Sequence, residues 1–240
     1  MSFEAYNSKG DLVISSQYQH WCFIKKVDLV AYNLYYTPVG EIYSPNVLVA
    51  FSPKVANTYT RAYFSTRIFS IGYPDPSTPT NRGLYLYSEV ASTAYIFDLK
   101  TSPQRVNFGI EVFNSEGKIT FNSAERYMRV LSTLTGQGLP VPSNPFTNPY
   151  GEPVISQLSG SKAIIPLSVE VYAEYYGAMW NGSEYETDEA YGLSYFSLNQ
   201  NDVRVRLQFG ITSIPVSRNF PGGVVETGQY FFIIIDVSEL

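Results

Sequence analysis

The sequence predicts an all-β protein of two tandem, duplicated β-sandwich (or β-barrel-like) domains, the second enlarged by loop insertions. Three observations carry that reading. The segment Phe3–Ser16 recurs as Ile110–Ser123, displaced by 107 residues with no gap. Runs of β-branched and aromatic residues alternate with turn signals about every ten residues. No amphipathic helical stripe of ten or more residues interrupts them.

The repeated segment reads as a β-hairpin. Glu4, Asn7, Ser8, Gly10 and Ser16 return as Glu111, Asn114, Ser115, Gly117 and Ser123, while Tyr6, Leu12 and Ile14 exchange with Phe113, Ile119 and Phe121. An apolar run enters Asn-Ser-Lys-Gly or Asn-Ser-Glu-Gly, and an alternating run leaves it. Asn opens a type I turn and Gly takes the left-handed position that follows, where a Cβ is costly. Asn7, Gly10, Asn114 and Gly117 are therefore assigned to turn geometry.

In chain order, Gln19–Ala31 predicts a strand that continues through Lys25 and Lys26, and Asn33–Pro38 a short aromatic piece ending in a turn. Ile42–Phe51 places Val47, Val49 and Phe51 on one face, with Pro45 marking an edge or a break. Thr58–Ile71 is rich in β-formers, and Gly72–Gly83, with Pro74, Pro76 and Pro79, is a long loop. Leu84–Tyr87 and Tyr95–Leu99 close a first domain, residues 1–99. A polar linker over 100–106 (KTSPQ at its start) precedes a second domain, 107–240. There Arg126–Leu131 takes the place of Gln19–Ile24. A Pro-rich loop over 135–153 follows, of a length that is usually functional or ordered by a neighbour. Ala163–Tyr176 returns to strand character, and the acidic Ala178–Glu189 reads as a solvated loop. Tyr191–Leu198 is a strand. Val203–Phe209 alternates, with Val203, Val205, Leu207 and Phe209 inward and Arg204, Arg206 and Gln208 outward. Tyr230–Val237 is a continuous apolar run, the mark of a strand covered on both faces.

Composition narrows the function classes. Charged residues are 15%, against about a quarter in ordinary soluble domains, and there are 21 tyrosines. Tyr suits surface that is half buried or shared with a partner. A net charge of −5 with dispersed Lys and Arg argues against a nucleic-acid footprint. Cys22 stands alone, so no internal disulfide forms. The start lacks a secretory leader, and the longest apolar run, Tyr230–Ile235, is too short for a membrane helix of about 20 residues. A cytosolic origin without membrane insertion is expected.

Candidate chemistry is sparse. His20 is the one histidine, two residues from Cys22, with no third group to orient a base. One His and one Cys fall short of a zinc site. Glu184, Glu186, Asp188 and Glu189 lack the spacing of a calcium loop, and a glycosidase pair among them has no positive sign. Trp180, with Tyr172, Tyr175, Tyr176 and Tyr185, offers an aromatic platform for sugar rings or for a partner protein. No cofactor is expected.

The phrase aromatic-Asn-Ser-x-Gly-x-Leu/Ile-x-Ile/Phe-x-Ser, carried by Tyr6–Ser16 and again by Phe113–Ser123, resembles the N-terminal segment of small minor tail proteins of tailed bacteriophages. That resemblance covers the two hairpins only. It implies a non-catalytic virion component at the tail tip, baseplate or fibre attachment point, made in the host cytoplasm and assembled with itself and other tail proteins. A carbohydrate-binding or receptor-binding module touching host glycans is the alternative, and a glycosidase-like enzyme the third.

Overall fold

The computed structural model describes residues 4–6, 8, 12–15, 20–36, 46–65, 84–99, 109–137, 153–167, 172–175, 179–180, 185–215, 223–224 and 229–240. The linker at 100–106, the loop at 72–83, Asn7, Gly10, Tyr176 and Glu184 lie outside them. Every regular element among the described residues is a β-strand. The first half holds β1 (Glu4–Tyr6), β2 (Leu12–Ser15), β3 (Trp21–Leu29), β4 (Leu34–Tyr36), β5 (Leu48–Pro53), β6 (Ala62–Ser65), β7 (Tyr85–Ser88) and β8 (Ser92–Leu99). The second holds β9 (Glu111–Phe113), β10 (Ile119–Asn122), β11 (Arg129–Gln137), β12 (Val154–Gln157), β13 (Lys162–Pro166), β14 (Tyr172–Tyr175), β15 (Met179–Trp180), β16 (Tyr185–Leu198), β17 (Asp202–Pro215), β18 (Gly223–Val224) and β19 (Gln229–Asp236).

The strands form antiparallel sheets of up to six strands. The largest runs β11-β19-β13-β5-β8-β3. From either edge inward it meets the strand after a hairpin, then the last strand of that half, then a middle strand. The two middle strands, β5 and β13, pair at Phe51 and Ile164. A smaller sheet in each half repeats one order, β4-β7-β6 and β12-β17-β16, the second extended by β14, β15 and β18.

Register agrees in detail. In the hairpins, Glu4, Ala5 and Tyr6 face Ser15, Ile14 and Leu12, and Glu111, Val112 and Phe113 face Asn122, Phe121 and Ile119. Each hairpin skips one residue, Val13 or Thr120, at the same place. In the edge pairs, Phe23 faces Phe97 and Lys25 faces Ile96, leaving Ile24 as a bulge. Val130 faces Ile235 and Ser132 faces Ile234, leaving Leu131. Ile24 and Leu131 stand 107 residues apart, the displacement of the hairpins.

An extra residue on one strand turns the following side chains to the other face. Ahead of the bulge in β3, Trp21 and Phe23 join one apolar cluster, built on Ala50, Phe97, Ala163, Ile165 and Ile235. Beyond it, Val27 and Leu29 join the other, with Val49, Phe51, Ile96, Ile164, Phe196, Phe232 and Ile234. That second cluster lies against the smaller sheets of both halves through Leu86 and Val205, so the halves share one core. The apolar run of β19 is split in the same way, Phe232 and Ile234 to one cluster and Ile233 and Ile235 to the other.

Two expectations need correcting. Residues 135–137 belong to β11 and not to the loop, because Thr135, Gly136 and Gln137 pair with Phe231, Tyr230 and Gln229. A Cβ on Gly136 would fall 2.5 Å from the Tyr230 hydroxyl, so glycine lets that ring lie across the strand. From Tyr185 onward the acidic segment is also strand: β16 begins there, and Glu186, Asp188 and Glu189 face Pro215, Ser213 and Thr212. Tyr and Thr at alternate places supply the β preference that the charges obscure.

Candidate assembly surface

Turn chemistry places the second hairpin. The Asn114 side-chain carbonyl accepts from the Glu116 and Lys118 amides at 3.0 and 2.9 Å. The Gly117 amide donates to the Asn114 carbonyl at 3.1 Å, and Gly117 sits at φ 76°. Strands β2 and β10 of the two hairpins touch each other. Each hairpin exposes an aromatic side chain at the same position, Tyr6 at 57% and Phe113 at 44%. Tyr6 donates to Glu4 at 2.6 Å, and that hydrogen bond to an anion raises the phenol pKa.

Beneath the hairpins the edges of the large sheet meet. Cys22 and Tyr127 form an isolated antiparallel bridge. The Phe23 amide donates to Arg126 at 2.6 Å, and the Met128 amide to Trp21 at 2.9 Å. His20 lies edge-on to Tyr127 at 5.7 Å and to Phe121 at 6.3 Å, while Phe121 and Tyr127 stack at 4.9 Å. The Tyr127 hydroxyl donates to the Asn122 carbonyl at 3.0 Å and accepts from its amide at 2.6 Å. Burial pushes that phenol up to about 12. The buried Cys22 thiol donates to the His20 carbonyl at 3.5 Å. Cys22 and His20 are thus engaged with backbone and with rings.

A second meeting of the halves was not visible in the sequence. Thr60 and Phe196 exchange both backbone hydrogen bonds, at 2.8 and 2.9 Å. Around it, Tyr195 donates to Glu89 at 3.0 Å, and burial with that carboxylate raises its pKa. Arg61 sits 5.2 Å from the Tyr63 ring, Tyr63 stacks on Tyr87 at 5.0 Å, and Arg206 lies 3.6 Å over Tyr59. The outward arginines of Val203–Phe209 were the available signal. Arg206 finds its ring, Tyr59, far away in sequence, while Arg204 pairs with Asp202 at 3.0 Å.

The aromatic platform is placed by backbone alone. Trp180 faces Tyr185, and Tyr175 faces Glu189, so all three sit at β16 positions of equal parity. A cleft of about 640 Å³ opens elsewhere between Lys54, Tyr95, Lys162, Leu198, Asn199 and Val237. In it the Lys162 ammonium, its pKa lowered by burial, donates to Gly160 at 3.1 Å and to Gln200 at 2.9 Å, tying two turns together. Among the described residues no cluster of metal-ligating side chains occurs, and no helix is long and apolar enough to cross a membrane. Comparison with family models, curated proteins and solved structures finds no match.

Proposed function

We propose that this chain is a non-catalytic building piece of the tail of a phage-like particle, made from two copies of one β module. The modules are residues 1–99 and 107–240, related by a pseudo-two-fold axis. The large sheet closes toward a barrel where Cys22 meets Tyr127. The observation that carries this reading is that the halves meet through counterparts. Strand β5 meets β13, β2 touches β10, and the start of β3 bridges the lead-in to β11. Such an arrangement is isologous, the geometry of a two-fold dimer fused into one chain. It offers Tyr6 and Phe113 as a matched pair of contacts, suited to joining neighbours in an assembly.

Mass spectrometry of purified tailed particles from the culture that encodes the chain tests the proposal. A fixed ratio of this chain to the other tail proteins is expected. Its absence from intact particles overturns the reading. Glycan recognition at a receptor-binding tip is a second reading, supported by the cross-strand pair Trp180 and Tyr185. It requires binding on a glycan array that Trp180→Ala abolishes.

A further inference from the structure

We infer that the outer edge of β11 pairs with the same edge of a second copy of this chain, as an antiparallel strand addition. The inference goes beyond the tail reading and does not rest on it.

The two edges of the six-stranded sheet are β3 and β11. They hold matching registers on their inner sides, yet their sequences treat the outer side differently. In β3, Lys25, Lys26 and Asp28 occupy the positions that Ser132, Thr133 and Thr135 occupy in β11. Asp28 is held by Lys54 at 2.9 Å and by the Thr93 hydroxyl at 2.9 Å. Charges on an edge strand are the usual guard against strand addition. Nothing guards β11. From Ser132 to Gln137 it carries no charge, Val130 and Leu131 are 51% and 40% exposed, and Thr133 and Thr135 are exposed. Ahead of the strand, Tyr127 is bridged by Cys22 at the start of β3, while along Ser132–Gln137 no strand lies on the outer side among the described residues.

Charge selects the occupant. The one ion on the strand, Arg129, is answered within the chain by Asp236 at 3.3 Å and Glu239 at 3.7 Å. An acidic partner strand therefore finds no free cation there, whereas an uncharged strand of equal length fits. β11 is itself such a strand. Antiparallel self-pairing within Ser132–Gln137 sets no like charges opposite one another at any register, and every main-chain group on both edges gains a partner. The product is a two-fold dimer with one continuous sheet.

Sedimentation equilibrium over a concentration series, with the full chain and with Ser132→Lys/Thr133→Lys, tests this. The double variant copies the guard of β3 onto positions of β11 that are exposed or half-buried. Wild type is expected to approach the mass of a dimer as concentration rises. The variant should stay a monomer, with the unfolding temperature that wild type shows at concentrations low enough to be monomeric. Hydrogen exchange should show β11 amides protected in wild type and released in the variant, with β3 unchanged. A wild type that is monomeric throughout overturns the inference. So does a variant that dimerises equally, or a dimer that protects the hairpins and leaves β11 open.

Discussion

The edge pairs β3–β8 and β11–β19 hold one register with different side chains, and the differences are of two kinds. Inward, volume is traded across the pair. Leu29 faces Ser92 where Gly136 faces Tyr230. The larger residue stands on the edge strand in one pair and on the inner strand in the other, and the space is filled in both. Along the free edge the strands differ: β3 carries Lys25 and Lys26 where β11 carries Ser132 and Thr133. Packing constrains the sum at facing positions, since interiors are filled close to crystal density. The open edge answers only to whatever approaches it.

Removing a large ring from either half of the shared core is the strongest way to break this equivalence. Phe51→Ala and Phe232→Ala should each cost about 3–5 kcal/mol, the range for a fully buried aromatic. Both should leave one cooperative unfolding transition in denaturant, because both rings fill one cluster. Two separate transitions would mean that the halves fold independently.

The volume trade makes a double-mutant test. Gly136→Leu alone should destabilise by about 3 kcal/mol through overpacking against Tyr230. Adding Tyr230→Ser recreates the Leu29–Ser92 pair and should recover about half of that loss, a coupling expected of neighbours and absent between distant sites. Full additivity would refute the trade.

A smaller effect compares the hairpins. Asn114→Ala removes an acceptor of two backbone amides and should cost about 1 kcal/mol. Asn7→Ala should cost the same, measured as the shift in denaturation midpoint. Unequal losses would show that the two turns differ.

Acid titration gives the smallest signal. Hydrogen bonds from Ser238, its amide foremost, hold the Asp236 carboxyl below the usual carboxylate range, with Arg129 adding to them. Its folded pKa is depressed, so the stabilisation is complete above the unfolded value of about 3.9. It is lost as pH falls through the lower folded value. Asp236→Asn should flatten that acid limb, and an unchanged limb would remove Asp236 from the account.

The sequence made some of this structure readable and hid the rest for physical reasons. The hairpins were legible because Asn-Ser-x-Gly dictates its turn locally. The bulge at Ile24 and Leu131 was hidden, since a bulge exists only relative to a partner strand. The pairing of β5 with β13 was hidden likewise: contacts between residues such as Phe51 and Ile164 leave no local pattern. In β16 the charges of Glu186, Asp188 and Glu189 outweighed the alternating Tyr and Thr, although strand pairing with β17 decides the conformation. Of the surface residues, Tyr6 and Phe113 stood out only as turn neighbours.

The meeting of counterparts can be tested with one substitution. Facing residues of an antiparallel pair lie about 4.5–5.5 Å apart at Cα, within reach of a disulfide, and Cys22 faces Tyr127. Tyr127→Cys should therefore close a disulfide with the native Cys22 on mild oxidation. The expected product is a single chain lighter by two hydrogens, with a higher unfolding temperature than its reduced form. Thiols that stay free, or that link two chains, would contradict it.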